Sequence, residues 1–168
     1  MCIRDRRTAV IGIGNQYRCD DGVGSLVLSF LTEQNLEHLK LIESDGEGVK
    51  LMDVWHGFDK VYVVDAVQAN DTCGRISRLD PNQDQIPLDY FYTSTHKFGL
   101  AEAVELSRVL GSLPQNLEIF GIVGNRFEYG TVVSPEVLQA AREVAATIRG
   151  ECLASSQMSN CEEEIADA

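Results

Sequence analysis

Thr8-Ala-Val-Ile-Gly-Ile-Gly-Asn15 is a short apolar run closed by glycines. Lys60-Val-Tyr-Val-Val-Asp65 is a second run, apolar from Val61 until its final aspartate. Both have the length and composition of strands covered on two faces. Between them, residues 22–33 place Val23, Leu26, Val27, Phe30 and Leu31 at helical spacing. Residues 39–43 read as a further strand, and 49–55, with Leu51, Met52 and Trp55, as a short helix. Beyond Asp65, residues 75–79 alternate polar and apolar, which predicts an edge strand entered through the 70–74 turn. Residues 80–95, with Pro81 and Pro87, form a long loop of the kind that often carries function. Residues 96–110 read as a helix with Thr95 as its cap, and residues 117–123 as another buried strand. Ser134 caps the last helix, with Pro135 in its first position.

Strands alternating with helices predict an α/β fold. The expected architecture is a three-layer α/β/α domain around a twisted, mainly parallel sheet of about five strands, one edge strand antiparallel. The domain spans residues 7–150. Residues 1–6 do not extend the strand pattern and read as a flexible leader, either native or a cloning scar. Residues 151–168 are polar and acidic and are expected to be disordered, so that their deletion is tolerated.

The net charge of −12 repels phosphate backbones and argues against nucleic acid as a partner. No apolar run approaches the roughly 20 residues of a membrane helix, and the basic start lacks the apolar core of a signal peptide. An odd count of five cysteines without a secretion signal points to free thiols and the cytoplasm. No CxxC pair supports a structural zinc site.

Ligands of open α/β sheets bind beyond the carboxyl ends of the strands, and here those ends are acidic. The first strand leads to Asp20 and Asp21, the second to Glu43 and Asp45, and the third ends in Asp65. The Gly12-x-Gly14 pair invites a dinucleotide reading. However, Tyr17 stands where the third glycine belongs, and Asp20 and Asp21 would repel a pyrophosphate at the helix start, so neither nucleotide nor flavin is expected. The absence of Gly-Lys-Ser/Thr excludes a Walker loop. Acids in a first helical turn also serve as caps, so one member of Asp20–Asp21 is expected to do only that. Asp65 is the sharper signal, because a carboxylate buried at an apolar strand end must be hydrogen-bonded, paired or metal-bound. His96 sits where a long loop enters a helix, whereas His38 and His56 fall near element ends and read as structural or solvated. Two carboxylates and one imidazole at one rim suit a borderline divalent ion, and three ligands leave coordination positions open. Cys19 reads as a small loop residue, and its pairing with His96 as a nucleophile is left open. No Gly-x-Ser-x-Gly elbow occurs.

On these residues the chain resembles the [NiFe]-hydrogenase maturation endopeptidases, across residues 9–149. The resemblance is carried by Gly12-Ile-Gly-Asn15, Asp20-Asp21-Gly-Val-Gly24, Asp45-Gly46, Val64-Asp65-Ala66, His96-Lys-Phe-Gly-Leu100, Gly121-Ile122 and Ser134-Pro135, in that order. It implies an endopeptidase that removes the C-terminal extension of a hydrogenase large-subunit precursor after nickel insertion. The substrate's own nickel would be the recognition element. It also implies Asp21, Asp65 and His96 as the metal-contacting and catalytic positions. Asp21 is one methylene shorter than the Glu of some relatives, and Glu47 replaces a frequent Gly, which leaves the local turn and the role of Asp45 open. Competing readings are a non-catalytic nickel or precursor chaperone on the same fold and a peptidyl-tRNA hydrolase-like protein. The latter also opens with Gly-x-Gly-Asn but carries a histidine and basic residues that are missing here.

Overall fold

The computed structural model describes residues 7–36, 38–87, 90–91 and 98–166, with residues 158–166 as backbone only. The five strands are β1 (Thr8–Ile13), β2 (Leu39–Ser44), β3 (Lys60–Val67), β4 (Ile76–Leu79) and β5 (Leu117–Val123). The helices are α1 (Val23–Thr32), α2 (Gly48–Trp55), α3 (Leu100–Val109) and α4 (Pro135–Ala166), and a 3-10 turn at Cys19–Gly22 leads into α1. The strands form one sheet in the order β2-β1-β3-β5-β4. All neighbours are parallel except β4, which runs antiparallel along the β5 edge, as the alternation of residues 75–79 predicts. No helix among the described residues is long and apolar enough to cross a membrane.

The two faces of the sheet are covered by different helices, which is why its central strands are apolar on both sides. Val10, Tyr62, Val64, Phe120 and Ile122 pack under α1 and α4 with Val27, Leu31, Val144 and Ile148. Ile11, Val61, Val63 and Ile119 pack under α2 and α3 with Leu51, Trp55, Leu100 and Val104. Helix α1 crosses β1 closely. A Cβ on Gly24 would lie 2.3 Å from the Ile13 carbonyl oxygen, and one on Gly12 would lie 2.5 Å from that of Gly24. The paired glycines therefore serve strand–helix packing.

Two expectations are corrected. Helix α3 begins at Leu100, not at residue 96. Gly99 precedes it in an extended conformation, and its N–H donates to Glu102 Oε2 at 2.9 Å. Thr95 and His96 lie outside the described residues, as do residues 1–6. The second correction concerns the tail. Helix α4 does not stop at Gly150 but continues to Ala166. Its continuation is anchored to the sheet: the Tyr62 hydroxyl donates to Glu151 Oε2 at 2.5 Å, and Arg78 Nη2 lies 2.7 Å from Glu151 Oε1. Lys60 approaches the same carboxylate at 3.5 Å. A buried phenol and two cations therefore hold the first residue of the segment that composition alone marks as disordered.

Candidate functional site

In this strand order the chain passes from β1 to β2 on one side and then crosses back from β2 to β3 on the other side of β1. The crevice between the carboxyl ends of β1 and β3 is therefore the topological switch point, where open sheets bind ligands. The turn after β1 starts at Gly14, whose φ of +130° and whose contact with Asp21 leave no room for a side chain: an added Cβ would stand 1.8 Å from the Asp21 carbonyl oxygen. The chain then folds back on itself. Arg18 N–H donates to the Asn15 carbonyl at 3.0 Å, Tyr17 N–H to Asn15 Oδ1 at 2.9 Å, and Asp21 N–H to the Arg18 carbonyl at 3.1 Å. The result brings Asp20 and Asp21 above the sheet, both buried.

The two acids have opposite fates. Asp20 Oδ2 accepts from the backbone N–H groups of Asn125 and Arg126, each at 2.9 Å, and from the Ser134 hydroxyl at 2.8 Å. Its Oδ1 accepts from Ser134 N–H at 2.7 Å. Four donors fill this carboxylate, so Asp20 is the purely structural member of the pair. It clasps the β5–α4 loop rather than capping α1. The Ser134 hydroxyl, expected to serve the start of α4, is directed to Asp20.

Among the described residues Asp21 keeps one hydrogen bond, from Asn15 N–H to Oδ2 at 3.0 Å. Burial raises its pKa, and the Asn15 N–H and the Arg18 charge offset this only in part. Asp65 is fully enclosed and receives one bond among the described residues, from the N–H of its neighbour Ala66 at 2.8 Å. Burial first, and the nearby Asp21 charge second, push its carboxyl well above the usual carboxylate range. Desolvation and like charge both disfavour ionisation. The pair therefore binds a proton more tightly than ordinary acids.

Of the predicted trio, Asp21 and Asp65 are brought together, and His96 lies outside the described residues. Among the described residues no group of three His, Cys, Asp or Glu side chains is arranged to hold a metal. His38 and His56 are exposed where β2 begins and α2 ends, away from the carboxyl ends of the strands. Cys19 is buried with φ +48° and packs against Gly130. At Asp45, Oδ1 accepts from Glu47 N–H at 3.2 Å and Oδ2 pairs with Lys50 at 2.9 Å. The turn left open by Glu47 is resolved as well. Its carboxylate accepts from Val49 and Lys50 N–H, both at 3.1 Å, and so caps α2.

Sequence reading missed two features. One is the clasp between the β1 turn and residues 125–134, which is completed by Cys19 N–H to the Gly130 carbonyl and Gly130 N–H to the Tyr17 carbonyl, both at 2.9 Å. The other is a groove of about 500 Å³ beside the acid pair. Ile11, Ile42 and Leu51 contribute its apolar lining, with Asn15, Tyr17 and Lys50 among its polar groups. Asn15 belongs to both sites, since its N–H holds Asp21. The glycines at 124 and 130 were the only local signal for the clasp.

The fold and site define a doubly wound α/β protein with a buried carboxylate pair at its switch point. The model of the hydrogenase maturation protease family HycI matches residues 27–151, and the chain belongs to that family. It is 28% identical over 122 residues to the hydrogenase expression/formation protein HupD of Thiocapsa roseopersicina, covering 70% of this chain and 54% of that protein. To the protein of the same name from Bradyrhizobium diazoefficiens it is 24% identical over 122 residues, covering 70% and 62%. The match thus spans little more than half the length of these relatives. Among solved structures, the [NiFe] hydrogenase maturation protease HycI from Thermococcus kodakarensis KOD1 superposes with a TM-score of 0.66 at 24% identity, covering 88% of this chain and 92% of that one. The HybD protease from the same genus and species gives a TM-score of 0.68 at 16% identity, covering 87% and 99%. These likenesses establish the fold.

Proposed function

We propose that the chain is an endopeptidase that removes the C-terminal extension from the nickel-loaded precursor of a [NiFe]-hydrogenase large subunit. In this reading the nickel belongs to the substrate, and Asp21, Asp65 and His96 contact it. The observation that carries the reading is the Asp21–Asp65 pair. Two desolvated carboxylates share a buried rim, and Asp65 has one hydrogen bond and no salt bridge among the described residues. A carboxylate left so poorly satisfied suits a cationic ligand that arrives with a partner. Family membership supports the class of reaction. Contact with the metal would fix the scissile peptide against the rim and supply orientation. Hydrolysis then adds water across one peptide bond, leaving a new carboxylate on the large subunit and a free amine on the released extension.

The test is incubation with precursor in nickel-loaded and nickel-free forms, followed by mass spectrometry of the large subunit. A shortened C-terminus only in the loaded form is expected. Asp21→Ala, Asp65→Ala and His96→Ala should each leave the loaded precursor uncut while retaining the fold. Normal processing by His96→Ala would remove that residue from the assignment. Stable binding of the precursor without loss of mass would instead make the chain a nickel or precursor chaperone.

A further inference from the structure

The clasp that holds Asp20 also builds a ridge on the rim of the site. Arg18 and Gly130 form a backbone bridge, so Tyr17 and Tyr129 flank the same junction. Tyr129 is 81% exposed, Val132 62% and Tyr17 61%. The Arg18 guanidinium carbon lies 4.7 Å from the centroid of the Tyr129 ring, within cation–π distance. Its Nε is buried and has no hydrogen-bond partner among the described residues. Two exposed tyrosines around one arginine is the composition that dominates binding hot spots. The ridge is also held by backbone hydrogen bonds on both sides, so little freedom remains to be lost on binding. Val109 and Leu110, exposed at the far end of α3, lack both the aromatic rings and the cation.

We propose that Tyr17, Arg18, Tyr129 and Val132 dock the folded body of the protein substrate, while the neighbouring groove and acid pair receive the segment to be cut. Continuity selects this occupant. Tyr17 belongs both to the ridge and to the lining of the groove that shares Asn15 with Asp21, so a protein delivering a chain to Asp21 lies across the ridge. The half-buried Arg18 guanidinium, in a chain of net charge −12, suits a carbonyl or carboxylate on the partner, set among apolar groups that cover the two rings. The inference rests on the peptidase reading only for the identity of the substrate.

The experiment uses the full chain and a whole nickel-loaded large-subunit precursor. Processing is measured against precursor concentration and binding by calorimetry. Tyr17→Ala/Tyr129→Ala should raise both KM and Kd about tenfold or more and leave kcat within about threefold, because hot-spot side chains act on binding. Tyr17→Phe/Tyr129→Phe, which keeps the rings, should restore wild-type affinity, and Val109→Ala should leave both constants unchanged. Wild-type KM and Kd in the double alanine variant would overturn the proposal. So would a loss that the phenylalanine variant fails to restore. Should the wild-type chain bind the precursor without cutting it, the peptidase reading fails while the Kd series still decides the docking surface.

Discussion

Replacing Asp20 with alanine tests whether the clasp holds the site together. The substitution strands the N–H groups of Asn125, Arg126 and Ser134 and the Ser134 hydroxyl, all now bonded to one buried carboxylate. A buried donor left unpartnered costs about 1–3 kcal/mol, and bonds to a carboxylate sit at the strong end. Against that loss, the variant no longer desolvates a charge, which recovers several kcal/mol. The net is about 3–5 kcal/mol, the range found when one side of a buried charged network is removed. For a chain of this size that corresponds to a fall in Tm of roughly 6–20 °C. Asp20→Asn separates bonding from bulk. With its carbonyl in the Oδ2 position it keeps three of the bonds but sets an amide NH2 against Ser134 N–H, for a cost of about 1–3 kcal/mol. Urea unfolding of the three proteins, with common m-values, measures both quantities. An alanine variant within about 1 kcal/mol of wild type would refute the reasoning, since the four donors would then have found other partners without penalty.

Three further outcomes follow from the same geometry. Asp65 has a folded-state pKa above its unfolded value, so the native state holds extra proton from about pH 4 upward and stability falls as pH rises through the folded pKa. Asp65→Asn can keep the bond from Ala66 without the charge. It should therefore unfold at higher urea than wild type at pH 7, with the gain gone near pH 4; an equal gain at both would contradict the shift. Gly14→Ala combines a left-handed φ with a backbone clash and should cost at least about 2 kcal/mol, read by thermal melting. Truncation after Gly150 removes the Glu151 partner of buried Tyr62 and should cost about 1–3 kcal/mol, whereas truncation after Gln157 should stay within about 1 kcal/mol of wild type by the same unfolding assay.

The fold was legible where each element meets its surroundings locally. An apolar run from Val61 to Val64 can only be a strand between two helical layers, and the alternation at residues 75–79 can only be an edge. Legibility failed where a distant partner decides the outcome. Glu151 looks like the start of an acidic tail until Tyr62 and Arg78 are set beside it by the sheet. The start of α3 was misplaced because Thr95 is a good cap by type. Glu102, three residues after Gly99, was the signal for the true start, since its carboxylate returns to the Gly99 N–H.

Asp20 and Asp21 show why a site is harder to read than a fold. They are adjacent, chemically identical and both buried, and no local rule separates them. What separates them is the supply of donors. The loop from Asn125 to Ser134, about a hundred residues away, saturates Asp20, whereas Asp21 has one N–H, from Asn15, among the described residues. Asp65 is served no better. The fold thus surrounds one buried carboxylate with four donors and gives the two others at its switch point one each among the described residues. That contrast in donors, and not any local sequence rule, is what singles out Asp21 and Asp65 as the pair on which the proposed function rests.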